Sequence, residues 1–439
     1  MTTSAADVSH RSEVARRLVV VGYSVVVARG MQFFRPDDSV IFVDEPASAL
    51  RRNAAAVLAG MPCCNRLVEW PYLREDAADE FFLRDVLGEL PSAILPGGEQ
   101  ATLFAARLAE RYGLPNAGLG AAELMRNKAR LRRVTAAAGI PNPVSRRASG
   151  PADVVEMLNE LDGPVIVKPV ALAGAAGVSK VHSVDEAEAA FRFAVAGDGG
   201  DQPADAPTAG QVLVEQYVAG PEFSVEMLVE NCRPVFANVT AKQLFDGPRP
   251  VERGHVLPYD ADPQIAASLT ELTGGVVSAT GFRSGFIHCE WIVSQDGPVL
   301  VECAGRLPGD GVTALLGIAW GVDLVELYAD IMQGQLDQSR LPKQPVGCSA
   351  VAFACATPGT VVSISGVEAA SEVDGVYMVM PLVEVGDQIH ELRSSADRVV
   401  LAIAGGADLA EASARAETAV GMVAVTTSDG AAEFASSSA

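Results

Sequence analysis

The tightest constraint in the sequence is a hairpin in its second half. Residues 286–293 and 298–302 are mostly apolar runs joined by the turn signal Gln295-Asp296-Gly297. Side chains alternate faces along a strand, so the centre of the turn decides which residues share a face. With Asp296 at that centre, Glu290 and Glu302 are equidistant from it and face one another. Directly opposed residues lie about 4.5–5.5 Å apart at Cβ, and two like charges there are destabilising. A divalent cation between them reverses the sign. A hard cation takes oxygen ligands and keeps waters that phosphates can replace, which is how Mg²⁺ is held in nucleotide sites. The spacing also permits a solvated pair, or a register slipped by one residue.

Lys168 is the second constraint. It stands in the strand-like run Pro164-Val165-Ile166-Val167-Lys168-Pro169, ahead of the small-residue stretch 171–177. A lysine at the end of a buried strand is costly to desolvate unless an anion neutralises it. Gly174 and Gly177 let backbone N–H groups approach closely and form an anion cradle. An edge-strand lysine before an ordinary turn has the same pattern. The third is Glu215-Gln216-Tyr217-Val218-Ala219-Gly220-Pro221-Glu222-Phe223-Ser224-Val225-Glu226. One strand breaks at Gly220-Pro221 and another begins. The break exposes backbone donors and acceptors beside Val218, which suits an adenine edge, and a carboxylate just past it can take two ribose hydroxyls. A plain connection between two strands reads the same way.

Residues 18–120 alternate short β-branched runs (18–21, 39–43, 66–70, 92–95) with Ala-rich amphipathic stretches such as 47–58 and 99–112. That alternation predicts a parallel α/β layer domain. No GxGxxG follows the first run, so the dinucleotide fingerprint is missing. Residues 121–140 predict a helix, with Asn127 able to cap and Gly139, Pro141 and Pro143 ending it. Strands at 164–169 and 178–181 and a helix at 185–195 follow. The aperiodic stretch 197–210 is expected as a mobile surface loop. Runs 211–218, 222–229 and 234–241 predict an antiparallel sheet, and helices are expected at 266–280 and 321–333. From 346 onward the chain reads as mostly β, with a helix at 409–420 and a low-complexity tail, EFASSSA, expected to be disordered. The division this implies is an N-terminal α/β domain 1–117, a central region 118–345 with a lid at about 143–220, a β-rich cap 346–432, and a tail 433–439.

Composition narrows the function classes. The 33 Lys and Arg stand against 55 Asp and Glu, a formal net charge of −22. Such a field repels phosphate backbones and anionic lipid, so neither nucleic acid nor a membrane surface is an expected partner. An anionic small ligand then needs a local basic pocket or metal ions. The seven cysteines form no CxxC pair and are odd in number, against a zinc ribbon or a disulfide framework and in keeping with free thiols in a reducing cytosol. The polar N-terminal stretch lacks an apolar run behind it, so a soluble, cytoplasmic protein is expected.

In order and content these segments resemble the ATP-grasp superfamily, from about Glu99 to Asp310. The order is Asn127-Lys128, the strand lysine Lys168, the small-residue loop, the Glu215–Glu226 segment, and the two glutamates. Arg253-Gly254-His255-Val256-Leu257-Pro258 and Glu302-Cys303-Ala304-Gly305-Arg306-Leu307-Pro308-Gly309-Asp310 narrow the likeness to carboxylate–amine ligases that join amino acids, the L-amino-acid ligase or dipeptide-synthetase branch. The run from Pro358 to Arg398 is similar to the small β-rich cap of biotin-carboxylase-like members.

The resemblance implies an ATP-grasp fold, α/β and α+β and multidomain, with a parallel α/β domain before it and a β-rich cap after it. It also implies roles. Lys128 and Lys168 hold ATP phosphates, and the loop with Gly174, Ala175, Gly177 and Val178 closes over them. Glu215, Gln216, Tyr217 and Val218 border the adenine, Glu222 takes the ribose, and Lys242 adds charge near the triphosphate. Glu290 and Glu302 carry Mg²⁺, two ions, with Mn²⁺ as the substitute. Arg306 stabilises an acyl phosphate and the later tetrahedral intermediate, and Lys168 acts with it. His255 lies by the amino-acid pocket and His288 behind the metal pair. Cys289, Cys303, Trp291 and Trp320 belong to the core. Two positions depart from the family: Ala304 stands where Asn is common, and Ala175 where Ser is common. The implied reaction joins an acid to an amine through an acyl phosphate and releases ADP and phosphate; the substrates are small molecules, and a homodimer is the expected assembly. The competing readings are a biotin-carboxylase-like or purine-pathway carboxylating ligase, against which the missing biotin-carrier segment counts, and a non-catalytic ATP-binding regulator, to which Ala304 and Ala175 lend weight.

Overall fold

A computed structural model describes residues 16–197, 210–247 and 249–431. The polar N-terminal residues 1–15, residues 198–209 of the expected surface loop, and the tail from 432 lie outside the described residues. The chain divides into two compact units, Met1–Asn116 with Met332–Gln335, and Ala117–Ile331 with Leu336–Ala439.

In the first unit β1 (Leu18–Val21), β2 (Val40–Asp44), β3 (Cys64–Glu69) and β4 (Ala93–Pro96) form a parallel sheet in the order β3-β2-β1-β4. Every residue of β1 and β2 is buried, as continuous β-branched runs in a sheet covered on both faces require. The parallel layer expected for 18–120 is therefore present. The helix expected over 47–58 is two helices, Pro46–Arg51 and Ala54–Ala59, because Asn53 adopts a left-handed conformation (φ 47°) between them.

The second unit holds a lid sheet and a central sheet. β5 (Ser145–Ala148), β6 (Val165–Pro169), β7 (Ser179–Val181) and β8 (Val212–Gln216) form the lid in the order β5-β8-β6-β7. The helices Pro151–Leu161 and Ala187–Ala196 bury Val154, Met157, Ala190 and Ala194 against it. β9 (Glu222–Glu230), β10 (Arg233–Leu244), β11 (Glu252–Leu257), β12 (Gly285–Ser294), β13 (Gly297–Ala304) and β14 (Cys348–Ala354) belong to the central sheet. β15 (Gly359–Ser365), β16 (Val376–Pro381), β17 (Gln388–Ile389), β18 (Val400–Gly406), β19 (Ala424–Thr427) and β20 (Gly430–Ala431) complete the chain. The central sheet has eight strands in the order β13-β12-β9-β10-β11-β14-β18-β16, and β17-β15-β19-β20 make a small separate one.

Two sequence expectations change here. The runs from 211 to 241 do not share one sheet: β8 lies in the lid and β9 in the central sheet, with the break at Gly220 between them. Gly220 has φ 154°, and a Cβ there would sit 2.2 Å from the Val293 carbonyl oxygen, so the crossing passes directly over β12. The helix expected at 121–140 is two helices, Leu119–Met125 and Lys128–Ala137, and Asn127 caps the second by accepting from the Arg130 N–H.

Period-2 alternation gives the central sheet two unlike faces. Phe223, Val225, Met227 and Val229 of β9 and Cys289 and Trp291 of β12 pack on the helix Pro263–Thr280. Trp291 is fully buried, its Nε1 donating to Thr273 Oγ1 at 3.1 Å, and burial of a large apolar side chain contributes roughly 1.5–3 kcal/mol. Cys289 and Cys303 face each other within this core, as expected. The opposite face carries Glu222, Ser224 and Glu226 of β9, Asn238, Thr240 and Lys242 of β10, and His288 and Glu290 of β12, in paired rows. That polar face is the floor of the site.

Candidate active site

Glu290 and Glu302 are cross-strand partners. The turn that brings them together differs from the expected one. Ser294 pairs with Gly297 across the two-residue turn Gln295-Asp296, and this register alone would set Glu290 opposite Val301. An irregularity between Glu290 and Trp291 on one strand, with Val301 as the extra residue on the other, shifts the ladder by one and restores the acid pair. The Val301 carbonyl accepts from Arg132 Nη2 at 2.6 Å. Among the described residues no three His, Cys, Asp or Glu side chains converge on one cation position. Two opposed carboxylates without a third ligand suit Mg²⁺, which takes one or two carboxylates and completes its octahedron with water and substrate phosphates.

The acid pair sits in the wall of a cavity of about 250 Å³. Lys128, Arg132 and Lys168 gather in that wall, each at least nine-tenths buried. Lys128 donates to the Leu172 carbonyl at 2.6 Å and pairs with Glu302 at 3.1 Å. Arg132, one helical turn on, holds both oxygens of Glu215 at 2.6 and 3.1 Å. Lys168 meets Glu215 at 2.5 Å, so the anion that neutralises it lies within the chain. Burial alone would raise Glu215, but Arg132 and Lys168 hold its carboxyl down to about 2. Burial lowers the pKa of Lys168, and the charges of Arg132 and Lys128 add to that against the pull of Glu215. The group holds more positive charge than Glu215 neutralises, so an anion entering there is stabilised.

Around Lys242 the balance is reversed. Its ammonium lies 3.0 Å from Glu290, 3.1 Å from Glu252 and 3.7 Å from Glu222. Burial would lower its pKa, but the three carboxylates raise it well above the ordinary value. Burial pushes Glu222 up, the response of an acid in an already anionic place. Glu290 is held well below the usual carboxylate range: burial opposes this, and Lys242 and His288 outweigh it. His288 is raised to about 9, burial being outweighed by Glu226 and Glu290 on its two nitrogens.

Of the other expected site residues, Ala175, Val178, Gln216, Tyr217, Val218 and Glu222 line this cavity, while Gly174, Gly177, His255 and Arg306 are not among its lining residues. Lys180 Nζ lies 3.7 Å from the centre of the Tyr217 ring. The loop after β6 is tied on two sides: Gly174 accepts from the Ser395 N–H at 3.2 Å, and Val178 from Arg249 at 2.9 Å. His255 pairs with Lys242 across β11 and β10 and so shares its face. Its Nε2 lies 3.0 Å from Asp310 Oδ2, and Arg398 grips both oxygens of Asp310 at 2.9 and 2.5 Å. His255 Nδ1 is buried and has no hydrogen-bond partner among the described residues. Arg306, just past β13, donates to the Leu307 carbonyl at 2.9 Å. Sequence reading missed Arg132, Lys180, Arg249, Glu252 and the buried acid Glu226. Arg132 had a signal, its place four residues after Lys128 on one helix face. Glu252 had none, because its strand lies in the Pro- and Gly-rich stretch 247–258.

Residues 161–314 match the model of the ATP-grasp domain, and 352–428 that of the L-amino acid ligase C-terminal domain 2. The chain is 33% identical over 244 residues to a D-alanine–D-alanine ligase B of Pseudomonas putida, 54% of this chain and 72% of that protein. It is 26% identical over 299 residues to an uncharacterised protein of Sinorhizobium fredii, 68% of this chain and 60% of that one. In fold it is similar to an L-amino acid ligase from Bacillus licheniformis, with a TM-score of 0.77 at 21% identity over 94% of this chain and 98% of that one. Among the described residues no single helix is long and apolar enough to cross a membrane.

Proposed function

Because the chain belongs to the ATP-grasp carboxylate–amine ligases, we propose that it joins two amino acids through an amide bond and converts ATP to ADP and phosphate. One observation carries this reading. A single cavity holds a surplus of buried cations, Lys128, Arg132 and Lys168, beside two opposed carboxylates, Glu290 and Glu302. A polyphosphate with its metal is the ligand that satisfies both.

Lys128 and Lys168 take the phosphates, under the loop with Gly174, Ala175, Gly177 and Val178. Glu215, Gln216, Tyr217 and Val218 border the adenine, and Glu222 takes the ribose. Glu290 and Glu302 hold two Mg²⁺ ions, with Mn²⁺ as the substitute, and the metal when bound neutralises phosphate charge. A substrate carboxylate oxygen attacks the γ-phosphorus, the bond to ADP breaks, and an acyl phosphate forms. Lys168 and Lys242 offset the charge that builds there. The amine nitrogen of the second amino acid then attacks the acyl carbon and phosphate leaves. Arg306 stabilises the tetrahedral intermediate. His255 takes the amine proton on Nδ1, which no described residue engages, its other nitrogen fixed by Asp310. The reaction belongs to the cytoplasm.

An ADP-release screen over pairs of amino acids, with the product identified by mass, tests the reading. ADP, phosphate and a product one water lighter than the pair support it. AMP and pyrophosphate, or ATP binding with no turnover on any pair, overturn it.

A further inference from the structure

Glu226 is a carboxylate with no exposed surface, at the centre of the polar face and outside the chemistry assigned above. Both of its oxygens are engaged: Oε1 by Ser224 Oγ at 2.6 Å and His288 Nδ1 at 3.1 Å, Oε2 by Thr240 Oγ1 at 2.6 Å and Asn238 Nδ2 at 2.9 Å. Trp320 donates to Asn238 Oδ1 at 3.0 Å and locks that amide in turn. Burying a carboxylate is costly, and this full set of donors offsets the cost while fixing the groups that make it. Among the groups it fixes is the imidazole of His288. With Nδ1 on Glu226, Nε2 turns to Glu290 and lies 3.4 Å from Oε1. Lys242 reaches the same atom, Oε1, at 3.0 Å. Among the described residues, Glu290 Oε2 takes neither contact. Directly across the hairpin from His288 stands Ala304.

We infer that His288 is a positioning residue that sets the cation selectivity of the site, an inference resting on the metal-binding role proposed for Glu290. His288 and Lys242 together occupy Oε1, so Glu290 meets a cation through Oε2 alone. A carboxylate confined to one oxygen suits a small octahedral ion such as Mg²⁺ or Mn²⁺. It disfavours Ca²⁺, which takes six to eight oxygens and accepts carboxylates through both. Without the imidazole only Lys242 still holds Oε1, and Glu290 gains freedom to turn and offer both oxygens.

The test reads binding rather than turnover. Mn²⁺ is bound to the full chain with a non-hydrolysable ATP analogue, free Mn²⁺ is followed by electron paramagnetic resonance, and Mg²⁺ or Ca²⁺ is added as competitor. The wild-type chain should release Mn²⁺ to Mg²⁺ far more readily than to Ca²⁺. In His288→Ala the gap should narrow about tenfold, the scale seen when groups behind a metal ligand are removed. In His288→Gln, whose amide can still donate to Oε1, much of the gap should return. Glu226→Gln should narrow it partway, and carries the test if His288→Ala does not fold. An unchanged ratio in His288→Ala or Glu226→Gln, with Mn²⁺ still bound, overturns this inference alone. A wild-type chain that binds no Mn²⁺ overturns the proposed nucleotide site, and the inference falls with it.

Discussion

Lys168 and Lys242 are both buried lysines in the wall of one cavity, and their surroundings are opposite. Lys168 shares one acid, Glu215, with Arg132 and has Lys128 nearby. Lys242 faces three acids, Glu222, Glu252 and Glu290, and shares the last of them with His288. The first is pushed toward losing its proton and the second toward keeping it. A residue type and a burial value therefore say little about role; the count of charges around it says more. Surplus positive charge at Lys168 is a demand for an anion, and surplus negative charge at Lys242 a demand for a cation. The fold holds both demands open within one cavity, which suits a ligand carrying both signs.

The largest expected effects separate the two lysines. On the proposed reading, Lys168→Met should lower amide-forming turnover by about 10²–10³-fold or more, because it would remove a charge aimed at the transferring phosphoryl group. Its melting temperature should hold, since Arg132 still neutralises Glu215. Glu302→Ala should abolish turnover likewise with the fold intact. Lys242→Met should instead destabilise the chain by about 3–5 kcal/mol, as removal of one partner from a buried ionic group does. Circular dichroism melts beside ADP-release rates decide it. Equal losses of stability in Lys168→Met and Lys242→Met would erase the distinction between the two sites.

A smaller effect follows from Glu215, which is held to about 2 in the folded chain. In the unfolded chain a glutamate protonates near 4.3. The stability it contributes is present above that unfolded value and is lost as pH falls through 2. Urea melts between roughly pH 4.5 and 2 should show stability falling with pH, and Glu215→Gln should flatten that limb. If the wild-type and variant slopes match, Glu215 is not the acid tying Arg132 to Lys168.

The difference between the two lysines was only half legible in the sequence. Lys168 stood out because a strand of Val and Ile ends in it. Lys242 carried no such mark, and two of its three acids, Glu222 and Glu290, were assigned to other tasks. Glu252 was hidden because a strand of Glu, Arg, Gly and His has no apolar run; β11 is made by its neighbours β10 and β14 and not by its own propensity. The hairpin teaches the same lesson more sharply. Glu290 and Glu302 were paired from a turn centred on Asp296, yet the turn is one residue tighter and a bulge at Val301 makes good the difference. Pattern reading reached the right pair because the turn and the bulge offset one another, and bulges leave no reliable trace in composition. The parallel strands of the first unit were plain, since fully buried β-branched runs have few other uses. Where residues face each other across long sequence gaps, as Arg132 and Glu215 do, periodicity has no hold.

The smallest effect belongs to Lys180, which is outside both charge clusters although it lines the same cavity. Its ammonium stacks on Tyr217 at 3.7 Å and meets no acid among the described residues. An exposed cation–π contact contributes about 0.5–1 kcal/mol. Lys180→Ala should therefore raise the KM for ATP about two- to fivefold and leave kcat near its wild-type value, since an adenine bordered by Tyr217, as proposed, would be bound alike in ground and transition states. A large fall in kcat would mean that Lys180 works on the phosphates. The surplus at Lys168 would then be one cation larger than the contacts indicate, and the asymmetry between the two lysines steeper.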